Sequence, residues 1–152
     1  MGVFPQTQSK AYDLMLSTLL SHTVNEIYVE DINETDTNLI FLDAREKKEF
    51  EVSHIKNTYW VGYNDFNFKR INHLPKDKKI IVYCSVGYRS EKIAERLKKK
   101  GFKNVYNLYG GIFEWVNQGK PVYDASGKVT QNIHAYDYTW GIWLSKGNKI
   151  YD

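Results

Sequence analysis

The chain has 152 residues, a net charge of +3, a single cysteine and an aromatic content of 15%. That length carries one domain with one sizeable core, and the apolar and aromatic content argues against intrinsic disorder. One cysteine excludes an internal disulfide and any paired-cysteine metal site; no stretch is long and apolar enough to span a bilayer; the lysines are scattered, so neither a nucleic-acid nor a membrane partner is expected.

Residues 1–9 lack the basic start and apolar run of a signal peptide, and Gln6 stands where a myristoylation signal needs Ser or Thr. The cytoplasm is therefore the default compartment, with a periplasmic or secreted location through a removed leader left open. Ala11, Leu14, Met15 and Leu19 recur at helical spacing and predict an amphipathic helix. It belongs to an N-terminal extension, residues 1–24, packed on the domain. Ile27-Tyr28-Val29 is a short strand, and the apolar run 38–42, ending at Asp43, is a buried one. A short helix over 46–52 and a β-rich segment over 57–61 follow. Lys79–Tyr83 (KIIVY) is the strongest strand of the chain, with Cys84 directly behind it. Next come a helix over 91–100 stopped by Gly101, a strand over 104–108, a Gly110-Gly111 turn, and a helix over 112–118 ended by Gly119 and Pro121.

Strands alternating with short helices imply an α/β fold, a mostly parallel central sheet flanked by helices. Ligands of such sheets bind at the carboxyl ends of the strands, where Cys84 lies. Residues 124–152 differ in character, with His134, Tyr136, Tyr138, Trp140 and Trp143 close together. They are expected as an aromatic strap packed on the surface of the same globule; walling the active site is the lesser alternative.

Cys84-Ser85-Val86-Gly87-Tyr88-Arg89 joins a buried strand to a helix. A tight turn there aims successive N–H groups at one point, and the helix N-terminus adds the positive end of its dipole. Such surroundings favour the thiolate, the nucleophilic form of cysteine. Gly87 permits the backbone angles of a curled loop. Arg89 places a fixed positive charge at the rim, suited to an oxyanion, and Ser90 is a helix-capping residue. The opposing reading is a buried cysteine acting as a small hydrophobe; the Gly-x-Arg and the helix behind it weigh against this.

The loop CSVGYRS resembles the active-site loop of the rhodanese family, Cys-x-x-G-x-Arg. Residues 105–122 are similar to that family's strand, Gly-Gly turn, aromatic-Trp helix and Gly-x-Pro ending. Phe41-Leu42-Asp43-Ala44-Arg45, Glu49-Phe50 and Ser53-His54-Ile55 resemble its Asp-x-Arg, acidic-aromatic and Gly-His-Ile elements. In register, they assign residues 25–123 to a single rhodanese-like domain. Ser53 and Asn57 stand where the family often has glycine, and Asn tolerates left-handed angles. Ser85 stands where many thiosulfate-using members are basic, which leaves Arg89 the only cation within the loop and favours a persulfide donor over thiosulfate.

The resemblance implies a sulfurtransferase with Cys84 as the nucleophile. It moves a sulfane sulfur from thiosulfate or a low-molecular-weight persulfide to a thiol, to cyanide or to an accepting protein, through a Cys84 persulfide. Ser85, Val86, Gly87, Tyr88 and Arg89 form the substrate-binding loop, Asp43 and Arg45 brace it from behind, and His54 braces a turn. No metal or organic cofactor is implied, since His22, His54, His73 and His134 lack ligand spacing. Three rivals remain: a slow sulfur carrier with the same Cys84 chemistry, a non-catalytic rhodanese-like binding module, and a cysteine phosphatase or arsenate reductase. The last has one more residue in its loop than the four between Cys84 and Arg89; the smaller ring suits a single sulfur atom.

Overall fold

The structure is a computed structural model that describes residues 7–152; residues 1–6, including the Met1-Gly2 start and Gln6, lie outside the described residues. Helix α1 (Lys10–Leu19) begins where the Ser9 hydroxyl accepts from the Tyr12 N–H, and it turns Tyr12 and Leu16 inward. In chain order follow β1 (Asn25–Ile27), β2 (Leu39–Asp43), α2 (Lys47–Val52), β3 (Thr58–Trp60), β4 (Lys79–Tyr83), α3 (Tyr88–Lys99), β5 (Val105–Leu108) and α4 (Gly111–Asn117). The C-terminal part holds β6 (Val122–Tyr123), β7 (Val129–Thr130), β8 (Asn132–His134), α5 (Tyr138–Gly141) and β9 (Asn148–Ile150).

Strands β1 to β5 form one sheet in the order β1-β5-β4-β2-β3, and every pairing in it is parallel. Side chains alternate along a strand, so central β4 feeds two cores. Ile81 and Tyr83 pack in one layer with Tyr12 and Leu16 of α1 and with Ile112, Phe113 and Trp115 of α4. Ile80 and Val82 pack in the other with Ile93, Ala94 and Leu97 of α3. The expected α/β architecture with a central parallel sheet is therefore what the chain forms. Among the described residues, no helix is long and apolar enough to cross a membrane.

Three expectations shift. The strand placed at 27–29 runs two residues earlier: its neighbour β5 ends at Leu108, the last bridge is Tyr109 N–H to Ile27 O at 3.0 Å, and Val29–Asp31 then curls into a 3-10 turn. The helix placed at 91–100 starts three residues earlier, at Tyr88, because Gly87 takes the N-cap position with φ +131°. Ser90 is consequently inside the first turn and does not cap it. Asn57 has φ +60°, as its replacement of glycine requires, whereas Ser53 is extended at φ −167° and needs no glycine.

The C-terminal segment is tied into the first core. Ile133, Ala135 and Leu144 are buried there, and Trp143 stacks on Tyr12 with ring centroids 5.3 Å apart. The Asn117 side chain donates to Trp143 O at 2.9 Å and accepts from Ser145 N–H at 2.7 Å, which anchors the segment to α4.

Candidate active site

Cys84 follows the last residue of β4 and is 1% exposed. The Gly87 N–H donates to its Sγ at 3.1 Å. Asn107, on neighbouring β5, donates from Nδ2 to Gly87 O at 3.0 Å and so pins the turn at its glycine. Its Oδ1 accepts from the Ser90 hydroxyl at 2.6 Å, and Ser90 Oγ is also 3.4 Å from Sγ. The single hydroxyl proton of Ser90 serves one partner or the other.

The outside of the turn is held by α4. Ile112 N–H donates to Cys84 O at 2.9 Å and Phe113 N–H to Ser85 O at 3.1 Å. A Cβ on Gly111 would sit 2.3 Å from Ser85 O and 2.6 Å from Cys84 O, so only glycine lets α4 come this close. Tyr12 adds a brace from α1, donating to Gly110 O at 2.6 Å. Two helices and a strand thus fix the curl that presents Sγ.

Arg89, expected as a fixed positive charge at the rim, lines the pocket and is ion-paired. Its Nη1 and Nη2 donate to the Glu49 carboxylate at 2.7 and 2.9 Å, and Nη2 also donates to Ser85 Oγ at 3.0 Å. Glu49 is fully buried on α2. Burial opposes its ionisation, but the hydrogen bonds and charge of Arg89 outweigh it and hold the carboxyl at about 2. The pair forms because α2 and the first turn of α3 face each other beside the loop, and a buried guanidinium demands a carboxylate.

Asp43 and Arg45 form a second, fully buried pair at the end of β2, with Arg45 Nη2 to Asp43 Oδ2 at 2.7 Å and to Ser53 O at 2.7 Å. They tie β2 to the end of β3, through Val61 N–H to Asp43 O at 3.0 Å, and to the end of α2, through Arg45 to Ser53 O. Neither side chain bonds to the cysteine loop; they set the framework from which Glu49 reaches it. His54 Nδ1 lies 2.9 Å from Phe50 O, with its ring stacked on Phe50, in a turn rather than at the site.

Above Cys84 opens a pocket of about 400 Å³. The loop supplies Ser85, Val86, Tyr88 and Arg89; the rest of the wall is Leu19 of α1 with Tyr136 and Trp140. The strap therefore does more than cover surface: two of its rings stand over the cysteine. Glu49, Ser90 and Asn107 were not singled out by local spacing for the parts they take here, whereas Tyr136 and Trp140 follow the lesser alternative for the strap, walling the site. Among the described residues no group of His, Cys, Asp and Glu could hold a metal ion.

A family model described as the rhodanese-like domain matches residues 26–118. Among curated proteins, the chain is similar to the tRNA uridine(34) hydroxylase of Hamiltonella defensa, 36% identical over 111 residues, covering 66% of this chain and 30% of that protein. It is also similar to that of Onion yellows phytoplasma, 33% identical over 129 residues, covering 74% and 41%. The chain thus spans less than half the length of these relatives. Among solved structures, a rhodanese-related protein from Thermoplasma volcanium superposes with a TM-score of 0.57 at 30% identity, covering 64% of this chain and 96% of that one. A thiosulfate sulfurtransferase from Pseudomonas aeruginosa gives 0.62 at 18% identity, covering 81% and 24%, a likeness of fold alone.

Proposed function

The chain belongs to the rhodanese-like domain family, and from this premise we propose that it is a sulfurtransferase working through a persulfide on Cys84. The Cys84 thiolate attacks the sulfane sulfur of thiosulfate or of a low-molecular-weight persulfide. The donor's S–S bond breaks, sulfite or a thiolate leaves with the electron pair, and Cys84–S–S⁻ remains. Cyanide, a small thiol or a protein thiol then attacks the outer sulfur and returns the thiolate. The observation that carries this reading is Sγ on the floor of the pocket, with the Gly87 N–H 3.1 Å away and the N-terminus of α3 behind it. Both stabilise negative charge on sulfur without a general base. Thiocyanate formation from thiosulfate and cyanide tests it: ping-pong kinetics in the native protein and none in Cys84→Ser are expected. Turnover that survives in Cys84→Ser refutes the assignment.

A second reading is motivated by the curated relatives, which are named for hydroxylation of tRNA uridine 34. In it the chain supplies the rhodanese-like portion of such an enzyme and acts on tRNA, against the absence of a nucleic-acid partner expected from charge. Mass analysis of tRNA nucleosides after incubation with the protein, with dioxygen as the oxygen source and a two-electron reductant added, separates the two. A gain of one oxygen on uridine that depends on Cys84 favours the second, and unchanged tRNA with thiocyanate turnover favours the first.

A further inference from the structure

We infer that Tyr136 and Trp140 form a donor-binding subsite that selects an organic sulfane donor bearing a ring-sized apolar group over inorganic thiosulfate; the inference rests on the sulfur-transfer reading of Cys84. Both residues lie beyond the residues 26–118 that match the family, so the subsite belongs to this chain's C-terminal segment.

Volume is the first ground. A pocket of about 400 Å³ falls in the ~300–1,000 Å³ range of sites for organic ligands and greatly exceeds a small inorganic anion. Its wall opposite the loop is Leu19, Tyr136 and Trp140, which together offer apolar and aromatic surface. Charge is the second. Among the described residues Arg89 is the only cationic one lining the pocket, and both its terminal nitrogens donate to the Glu49 carboxylate, which neutralises its charge. With Cys84 as thiolate, the three groups together carry one net negative charge. A dianion such as thiosulfate is repelled by it, whereas a monoanionic or neutral donor meets less resistance and gains the apolar wall.

The backbone that carries the two rings is held in place. Tyr136 adopts φ +71°, its N–H donates to His134 Nδ1 at 3.1 Å, and its ring centroid lies 5.0 Å from the Arg89 guanidinium carbon. Trp140 sits in α5, whose start is capped by Asp137 Oδ1 accepting from the Trp140 N–H at 2.9 Å. A site whose backbone is fixed beforehand loses less freedom when the ligand arrives.

Benzenethiosulfonate and methanethiosulfonate are monoanions with the same reacting group that differ in the ring. In each, the Cys84 thiolate attacks the terminal sulfur, the bond to the sulfonyl sulfur breaks, and the sulfinate leaves with the electron pair; no proton, oxidant or reductant is consumed. The experiment is the second-order rate of Cys84 loading, followed by intact mass, with both thiosulfonates and with thiosulfate. In the native protein the benzene donor should outpace the methane donor, and thiosulfate should be the slowest. In Trp140→Ala the benzene-to-methane ratio should fall roughly tenfold, within the range one lost apolar pocket contact gives. Tyr136→Asn, which keeps a residue tolerant of positive φ, should lower the same ratio with the fold intact. A ratio unchanged in both folded variants, with loading still occurring, overturns the subsite and leaves sulfur transfer standing. No loading from any donor overturns both.

Discussion

Glu49→Gln isolates the least expected feature of the site, the carboxylate that neutralises Arg89. Glutamine keeps the size and one accepting oxygen but removes the charge. The Glu49 carboxyl is held at about 2 against an ordinary value of 4.5, by Arg89 in spite of burial. At 1.36 kcal/mol per unit this is an interaction on the order of 3 kcal/mol in favour of the ionised form. For a chain of this length each kcal/mol moves Tm by about 2–4 °C, so Glu49→Gln should lower Tm by roughly 6–12 °C at pH 7. A group whose folded value is depressed stabilises the native state fully above its unfolded value. The gap between native protein and variant should therefore be complete above pH ~4.5 and close as pH falls toward 2. Differential scanning calorimetry from pH 7 downward measures it. The same variant frees the Arg89 guanidinium, so KM for thiosulfate should drop while the cysteine is untouched. A Tm within 2 °C of the native value at pH 7, or a gap that does not depend on pH, refutes the charge-neutralising role of Glu49.

Gly111→Ala should displace the cysteine loop, because its Cβ would meet the Cys84 and Ser85 carbonyls, which are backbone and cannot swing aside. Cys84 loading should slow at least roughly tenfold, whereas Gly127→Ala, also at positive φ but with open space around it, should show only the ~1–3 kcal/mol backbone strain and load normally. Equal loading in both variants would remove α4 as the support of the loop. Ser90→Ala leaves Asn107 Oδ1 buried without its donor and should cost about 1–3 kcal/mol in urea unfolding. It should also shorten the lifetime of the Cys84 persulfide; an unchanged lifetime would assign Ser90 to the fold alone.

What local sequence makes legible is periodicity and punctuation. KIIVY is apolar on both faces because it is the central strand between two cores, and Gly101 marks the end of α3 because its φ of +97° is a conformation that glycine adopts without strain. The cysteine loop announces itself in the same way, as a strand, a curled turn and a helix. Pairings across the fold do not. Glu49 is visible as part of an acidic-aromatic element, but its partner Arg89 is 40 residues away, and only the folded chain brings the two side chains together. The local sequence therefore shows the charge of Arg89 without the carboxylate that pairs with it. Ser90 reads as a cap because nothing in CSVGYRS states that Gly87 already begins the helix. Tyr136 and Trp140 fall in an aromatic-rich stretch whose density says that it packs, not what it faces; the Asn117 clamp on Trp143 and Ser145 decides the direction.

The most direct measurement is the intact mass of the protein after incubation with a sulfane donor and again after cyanide. Cys84 is the chain's only thiol, so a persulfide can form nowhere else. One added sulfur atom, about 32 Da, should appear, survive buffer exchange and vanish on addition of cyanide with release of thiocyanate. Cys84→Ser, folded, should gain nothing. A reduced and folded native protein that stays at its starting mass with thiosulfate, thiosulfonates and low-molecular-weight persulfides alike would contradict sulfur transfer at Cys84.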